Sequence, residues 1–201
     1  MKDESFSNES IWAKEFILES NHSYLISSDS GKGKSTLLSY IYGLRSDYSG
    51  SISIDQEKQK NISIDSWSKL RTHKLSYLIQ DLRLFNHLSV WDNLILKNNL
   101  TNHKTTSEIE NMLEQFGLLY KKNQLAGKLS LGQQQRVALI RCFLQPFEFL
   151  LLDEPFSNID DTNIQIAKKL INEECKANNG GFILATLGHD YEFENATTVY
   201  L

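Results

Sequence analysis

Apolar positions in this chain come in short runs cut by polar stretches, and the period of each run sets the element it predicts. Residues up to about Ser10 are polar and weakly patterned. Phe16-Ile17-Leu18 predicts a short strand, and Asn21-His22 a turn. Tyr24-Leu25-Ile26-Ser27 is a short, largely apolar run, and a helix is predicted from Ser35 to Leu44. Ser51 to Asp55 alternates, as a half-exposed antiparallel strand does, and Leu75 to Ile79 predicts a strand that delivers Gln80. From Ser89 the pattern turns helical, with Ile109, Met112, Leu113 and Phe116 spaced for one apolar face. A helix over Leu131 to Leu144 precedes Phe149 to Leu152, a fully apolar run of the kind found at the centre of a parallel sheet. A helix over Ile164 to Lys176 and strands at Phe182 to Ala185 and Thr198 to Leu201 complete the pattern. Strands alternating with helices, with a helical block inserted at roughly 82–130, predict an α/β core carrying a helical subdomain.

Size and composition narrow this picture only a little. The 201 residues suffice for one domain, and 40% hydrophobic with 23% charged residues is ordinary for a soluble globular protein. The net charge of −4, without a basic block, argues against direct nucleic-acid binding. No apolar run approaches the ~20 residues of a membrane span, and the polar start Met1-Lys2-Asp3-Glu4-Ser5 does not read as a signal peptide. Cys142 and Cys175 fall in helical stretches away from any metal-type cluster and read as reduced thiols of a cytoplasmic protein. With no linker and no internal repeat, residues 1–201 are expected to form a single unit.

Candidate chemistry begins where the first buried strand ends. Asp29-Ser30-Gly31-Lys32-Gly33-Lys34-Ser35-Thr36 lies between that strand and a helix, the setting a phosphate-binding loop requires. Backbone N–H groups at a helix N-terminus converge on an anion, and Gly31 and Gly33 let the chain fold closely around it. Lys34 would reach the β- and γ-phosphates and Ser35 would ligate Mg²⁺. A chance Gly/Ser/Lys turn is the plainer alternative. Asp153 and Glu154 end the apolar strand, so a rigid element would hold two carboxylates. Asp153 would hold Mg²⁺ through water, and Glu154 would act as general base.

Leu129-Ser130-Leu131-Gly132-Gln133-Gln134-Gln135-Arg136 resembles the signature motif of ATP-binding cassette (ABC) ATPases. With the loop upstream and the Walker B-like Leu152-Asp153-Glu154-Pro155 downstream, the resemblance covers about Phe16 to Leu201. It implies a P-loop core with a mainly parallel sheet, a small antiparallel β subdomain and the helical insert. It implies that ATP and Mg²⁺ held by Ser30 to Thr36 of one subunit are closed over by Ser130, Gly132 and Gln133 of another. Ser130 also reads as a helix N-cap. Gln80 resembles the Q-loop glutamine, which contacts Mg²⁺ or the lytic water. Asp160 resembles the D-loop aspartate and reads equally as an N-cap. His189 resembles the switch histidine, placed two residues further from its strand than the family pattern. Ser28 and Leu131 stand where the family usually has glycine. Phe6 and Trp12 are both candidates for stacking on adenine. Leu84, Phe85, Leu88 and Trp91 read equally as insert core or as a groove for a membrane partner.

Gln80-Asp81-Leu82-Arg83-Leu84-Phe85 and Gly132 to Arg136 are most similar to the lipoprotein-releasing, macrolide-exporter and cell-division ATPases. That subgroup pairs with FtsX-like integral membrane permeases. The implied protein is a homodimeric or paired ATPase on the inner face of the cell membrane, driving a separate permease. A nucleotide-gated interaction module with little turnover is the rival reading. A soluble ABC protein acting on DNA or ribosomes is a second, disfavoured by the lack of a long coiled coil, a second cassette or a basic face.

Overall fold

The computed structural model describes residues 11–13, 15–28, 31–186, 191, 193 and 195–201. Its strands are β1 (Ser23–Ser27), β2 (Ser53–Ile54), β3 (Glu57–Lys58), β4 (Leu75–Leu78), β5 (Phe149–Asp153), β6 (Gly181–Thr186) and β7 (Ala196–Tyr200). Its α-helices are α1 (Lys34–Ile41), α2 (Ile64–His73), α3 (Val90–Asn98), α4 (Thr106–Gln115), α5 (Leu131–Cys142) and α6 (Asp161–Ala177). Five strands form one sheet in the order β4-β5-β6-β1-β7, and each pairing in it is parallel. Parallel neighbours cannot be joined by a tight turn, and helices lie on the paths from β1 to β4, from β4 to β5 and from β5 to β6, so that both faces become covered.

Alternation along the central strands shows both faces buried. Leu25, Leu150, Leu152, Phe182 and Leu184 belong to the larger apolar cluster, shared with α3, α4, α5 and α6. Tyr24, Ile26, Leu151, Ile183 and Ala185 belong to the smaller one, with Leu37 and Leu38 of α1. Cys142 and Cys175 are buried free thiols, whose pKa burial raises, to about 12 for Cys175. Both are therefore protonated and inert at neutral pH.

Three expectations need correction, and one helix went unpredicted. Phe16-Ile17-Leu18 is not a strand. Its side chains diverge: Leu18 packs on the smaller cluster, Phe16 meets the edge of Tyr24, and Ile17 is exposed. The first predicted helix stops at Ile41 rather than Leu44, because Gly43 turns the chain with φ 71°. Of Ser51 to Asp55 only Ser53–Ile54 pair, because Asp55 and Gln56 take left-handed φ values of 50° and 69° to make the hairpin. Helix α2 was not signalled by apolar periodicity. It fully buries no side chain; Ser63 caps it, and Arg71 ties it to the carbonyls of Tyr42 and Gly43 at 3.2 and 2.9 Å.

Gly181 opens the central strand where the backbone passes closest to a neighbour. A Cβ there would be driven into the carbonyl oxygen of His22 and would lie 3.1 Å from that of Ser20. Backbone cannot swing aside as a side-chain tip can, so Gly181→Ala should lower stability by about 2–3 kcal/mol, a fall in Tm of roughly 5–10 °C. A thermal melt checks this, and an unchanged Tm would contradict the packing described.

Candidate active site

The carboxyl ends of β1, β4 and β5 lie along one edge of the parallel sheet, β4 beside β5 and β6 between β5 and β1, and the predicted chemistry leaves from them. This is the edge where open α/β sheets bind ligands. After β1 the chain turns through Gly31 (φ 79°) and Gly33 (φ 96°) into α1. Both glycines sit in the left-handed region, which lets backbone N–H groups face inward at the helix start. Lys34 is 5% exposed, and its Nζ donates to the Ser28 carbonyl at 2.6 Å. Ser28 Oγ lies 3.4 Å from the same Nζ, so this serine meets the ammonium through main chain and side chain. Lys32 is exposed and Thr36 is half-buried in the first turn of α1. The indole of Trp12 stacks over this turn, 3.3 Å from where a Gly33 Cβ would be, and meets Tyr40 edge-on. Ser30, His189 and Phe6 lie outside the described residues.

Both carboxylates arrive at the end of one strand, β5, which β6 separates from β1. Ser35 Oγ donates to Asp153 Oδ1 at 2.9 Å, joining the loop to the end of β5. Burial pushes the Asp153 carboxyl above the usual range and Glu154 adds to this, while the Ser35 hydroxyl, Lys34 and Tyr77 oppose it. Burial, then the Asp153 charge, raises the Tyr77 hydroxyl in turn. A hydroxyl and a carboxylate oxygen this close suit Mg²⁺, which takes few protein ligands and completes its shell with phosphate and water. Among the described residues no group of three or more His, Cys, Asp or Glu could hold a metal alone. Glu154 follows with φ 49°, its N–H held by the Ala185 carbonyl at 3.0 Å. Gln80 Nε2 reaches Glu154 Oε2 at 3.4 Å. The structure thus gathers Lys34, Ser35, Asp153, Glu154 and Gln80 at one edge.

The signature-like residues lie elsewhere. Ser130 caps α5: its Oγ accepts from Gln133 N–H at 3.3 Å, and Gln133 Oε1 accepts from Ser130 N–H at 3.1 Å. Gly132 packs so closely against the Asn158 carbonyl that a Cβ would not fit. Asp160 caps α6, accepting from Asn163 N–H at 3.0 Å, and these hydrogen bonds hold its carboxyl below the usual range. Ser130, Leu131, Gly132, Arg136, Asn158, Ile159 and Asp160 line an open cleft of about 380 Å³. Leu131, 54% exposed, sits at its mouth. Among the described residues, none of the phosphate loop lines it.

Sequence reasoning gave no role to two residues of α5. Gln135 is buried and bonds the backbone around Glu154 and Asn158. Arg141 grips the carbonyls of Leu82 and Arg83 at 2.5 and 2.7 Å, just beyond Gln80. Leu82 and Arg83 are left-handed, with φ 57° and 51°, so the guanidinium braces an unfavourable turn. A polar side chain at a buried helical position was the only available signal for either.

Fold and site together define an α/β nucleotide-binding domain with a phosphate loop and paired carboxylates. A family profile described as ABC transporter matches residues 14–157. The chain belongs to the ABC transporter family, as an ATP-binding domain of its ATPase class. It is 43% identical over 134 residues to a thiamine import ATP-binding protein (ThiQ) of Aliivibrio fischeri, across 65% of this chain and 55% of that protein. It is 34% identical over 164 residues to the lipoprotein-releasing system ATP-binding protein LolD of Buchnera aphidicola, across 80% and 71%. The chain thus spans little more than half of the first relative's length. Among solved structures, a dimeric post-hydrolysis ATP-binding cassette bound to ADP and Pi is similar, with TM-score 0.71 and 27% identity over 87% of this chain and 78% of that one.

Proposed function

We propose that this chain hydrolyses ATP as one half of a nucleotide-sandwich dimer and that the cycle of closing and reopening drives a separate integral membrane permease. One observation carries the reading: the phosphate loop and carboxylates form one site, while the capped start of α5 borders a separate cleft. An ATP on Lys34 and Ser35 is therefore completed by Ser130, Gly132 and Gln133 of a second copy. The helix N-terminus would offer N–H groups and a partial positive charge to the γ-phosphate. The similar cassette solved with ADP and Pi is itself dimeric.

In this reading Lys34 neutralises the β- and γ-phosphates, and Ser35, Asp153 and Gln80 hold Mg²⁺. The ion supplies positive charge that offsets the charge on the phosphates. Glu154 accepts a proton from water as the water oxygen bonds to the γ-phosphorus. The bond from that phosphorus to the bridging oxygen breaks, leaving ADP and phosphate. Gln80 orients the water through its contact with Glu154, Asp160 lies at the dimer interface, and His189 steadies the departing phosphate. Residues 1–201 form one ABC ATPase domain, with about 82–130 as its helical insert.

Among the described residues no helix is long and apolar enough to cross a membrane. The relatives are named for thiamine import and for lipoprotein release, activities that act across or at a membrane. We place the protein on the inner face of the cell membrane, bound through its permease. The segment Gln80 to Phe85 and the run Gly132 to Arg136 support a permease of the FtsX-like class.

Phosphate release by the purified chain, measured over a range of protein concentrations, tests the reading. A rate per subunit that rises with concentration supports the dimer. A chain that binds ATP yet shows no turnover, alone or with its membrane partner, is the nucleotide-gated module that the exposed Leu131 would favour.

A further inference from the structure

Helix α5 bears on the site in two ways. Its N-terminus borders the cleft, and its second turn reaches back into its own subunit. Gln135, 2% exposed, lies in that turn. Its Nε2 donates to the Glu154 carbonyl at 2.9 Å and to Ser157 Oγ at 3.3 Å. Its Oε1 accepts from both the N–H and the Nδ2 of Asn158, each at 3.1 Å. A carboxamide has two donor hydrogens and two acceptor lone pairs, and all four are used on one five-residue segment.

That segment needs holding. Glu154 has φ 49°, a left-handed conformation that a side chain with a Cβ adopts only when its surroundings enforce it. On its N–H side it is fixed by Ala185 of β6 at 3.0 Å. On its carbonyl side it is fixed by Gln135. Gly132, three residues earlier on the same helix, seats the Asn158 carbonyl with no room for a Cβ. Helix α5 thus grips residues 154–158 at two points, and a displacement of its N-terminus must move the Glu154 backbone.

We infer that Gln135 is a positioning residue for hydrolysis, acting through Glu154: its buried carboxamide transmits engagement of the α5 N-terminus to the placement of the Glu154 carboxylate in the same subunit. Closure on one nucleotide is then felt at the other. The inference rests on the dimeric hydrolysis reading above. A buried amide that merely completed a loop would affect folding alone. A positioning amide governs the chemical step and leaves nucleotide affinity intact.

Two variants separate these roles. Gln135→Glu keeps an acceptor for Asn158 and turns an oxygen toward the Glu154 carbonyl, and Gln135→Met removes all four bonds at similar volume. Each is expected to lower kcat by about 10- to 100-fold with KM and ATP affinity within about twofold, since small misplacement of a reacting group acts on the transition state. The bond of the Asn158 N–H to Gln135 should slow its amide exchange in the parent, and exchange should quicken in Gln135→Met. A kcat within twofold of the parent, or loss of ATP binding and cooperative melting in both variants, overturns the inference. If the parent itself shows no turnover, alone or with its membrane partner, the hydrolysis reading falls. The exchange measurement still decides the Gln135 contact: unchanged protection of Asn158 in Gln135→Met would overturn it.

Discussion

Glu154→Gln should abolish ATP turnover, by a factor of at least about 10²–10³, and leave ATP binding within a few-fold of the parent. The substitution preserves size and the backbone bonds to Ala185 and Gln135. What it removes is the carboxylate that takes the proton from water. Asp153 cannot substitute, because its Oδ1 is engaged by Ser35 and its carboxyl is buried. Steady-state phosphate release, paired with nucleotide titration, measures both halves of the prediction. Activity retained within about tenfold would remove Glu154 from the role of base.

Lys34→Ala should fail at the earlier step. The ammonium is buried at the start of α1 and held by the Ser28 carbonyl, where the left-handed Gly31 and Gly33 let the chain turn into the helix. A charge-assisted contact to phosphate in such a setting is worth about 1.5–3 kcal/mol, so affinity should fall roughly 10- to 100-fold, and turnover with it. Calorimetric titration with a nonhydrolysable ATP analogue reads this directly. The two variants are thereby distinguished: Glu154→Gln binds and does not turn over, and Lys34→Ala scarcely binds. Unchanged affinity in Lys34→Ala would mean that the triphosphate lies elsewhere.

The sequence made the α/β order legible because its strands are buried on both faces and read as unbroken apolar runs. Phe149–Asp153 and Gly181–Thr186 are the clearest cases. It failed where burial did not shape the pattern. Helix α2 has no buried side chain and so no apolar period, and Phe16-Ile17-Leu18 is apolar without pairing. The loop, carboxylate and signature residues were legible from order and spacing, which follow from the strands that carry them. Gln135 and Arg141 were not. Each works on backbone carbonyls of a distant segment, and only the fold brings those carbonyls to the helix.

The central claim is that ATP joins two copies of this chain through Ser130 and Gly132 of each. Sedimentation of Glu154→Gln with and without Mg-ATP tests it most directly. A monomer that becomes a dimer only with Mg-ATP, and that stays a monomer when Ser130→Arg is added, is the predicted result. The same mass in the presence and absence of Mg-ATP would contradict the claim.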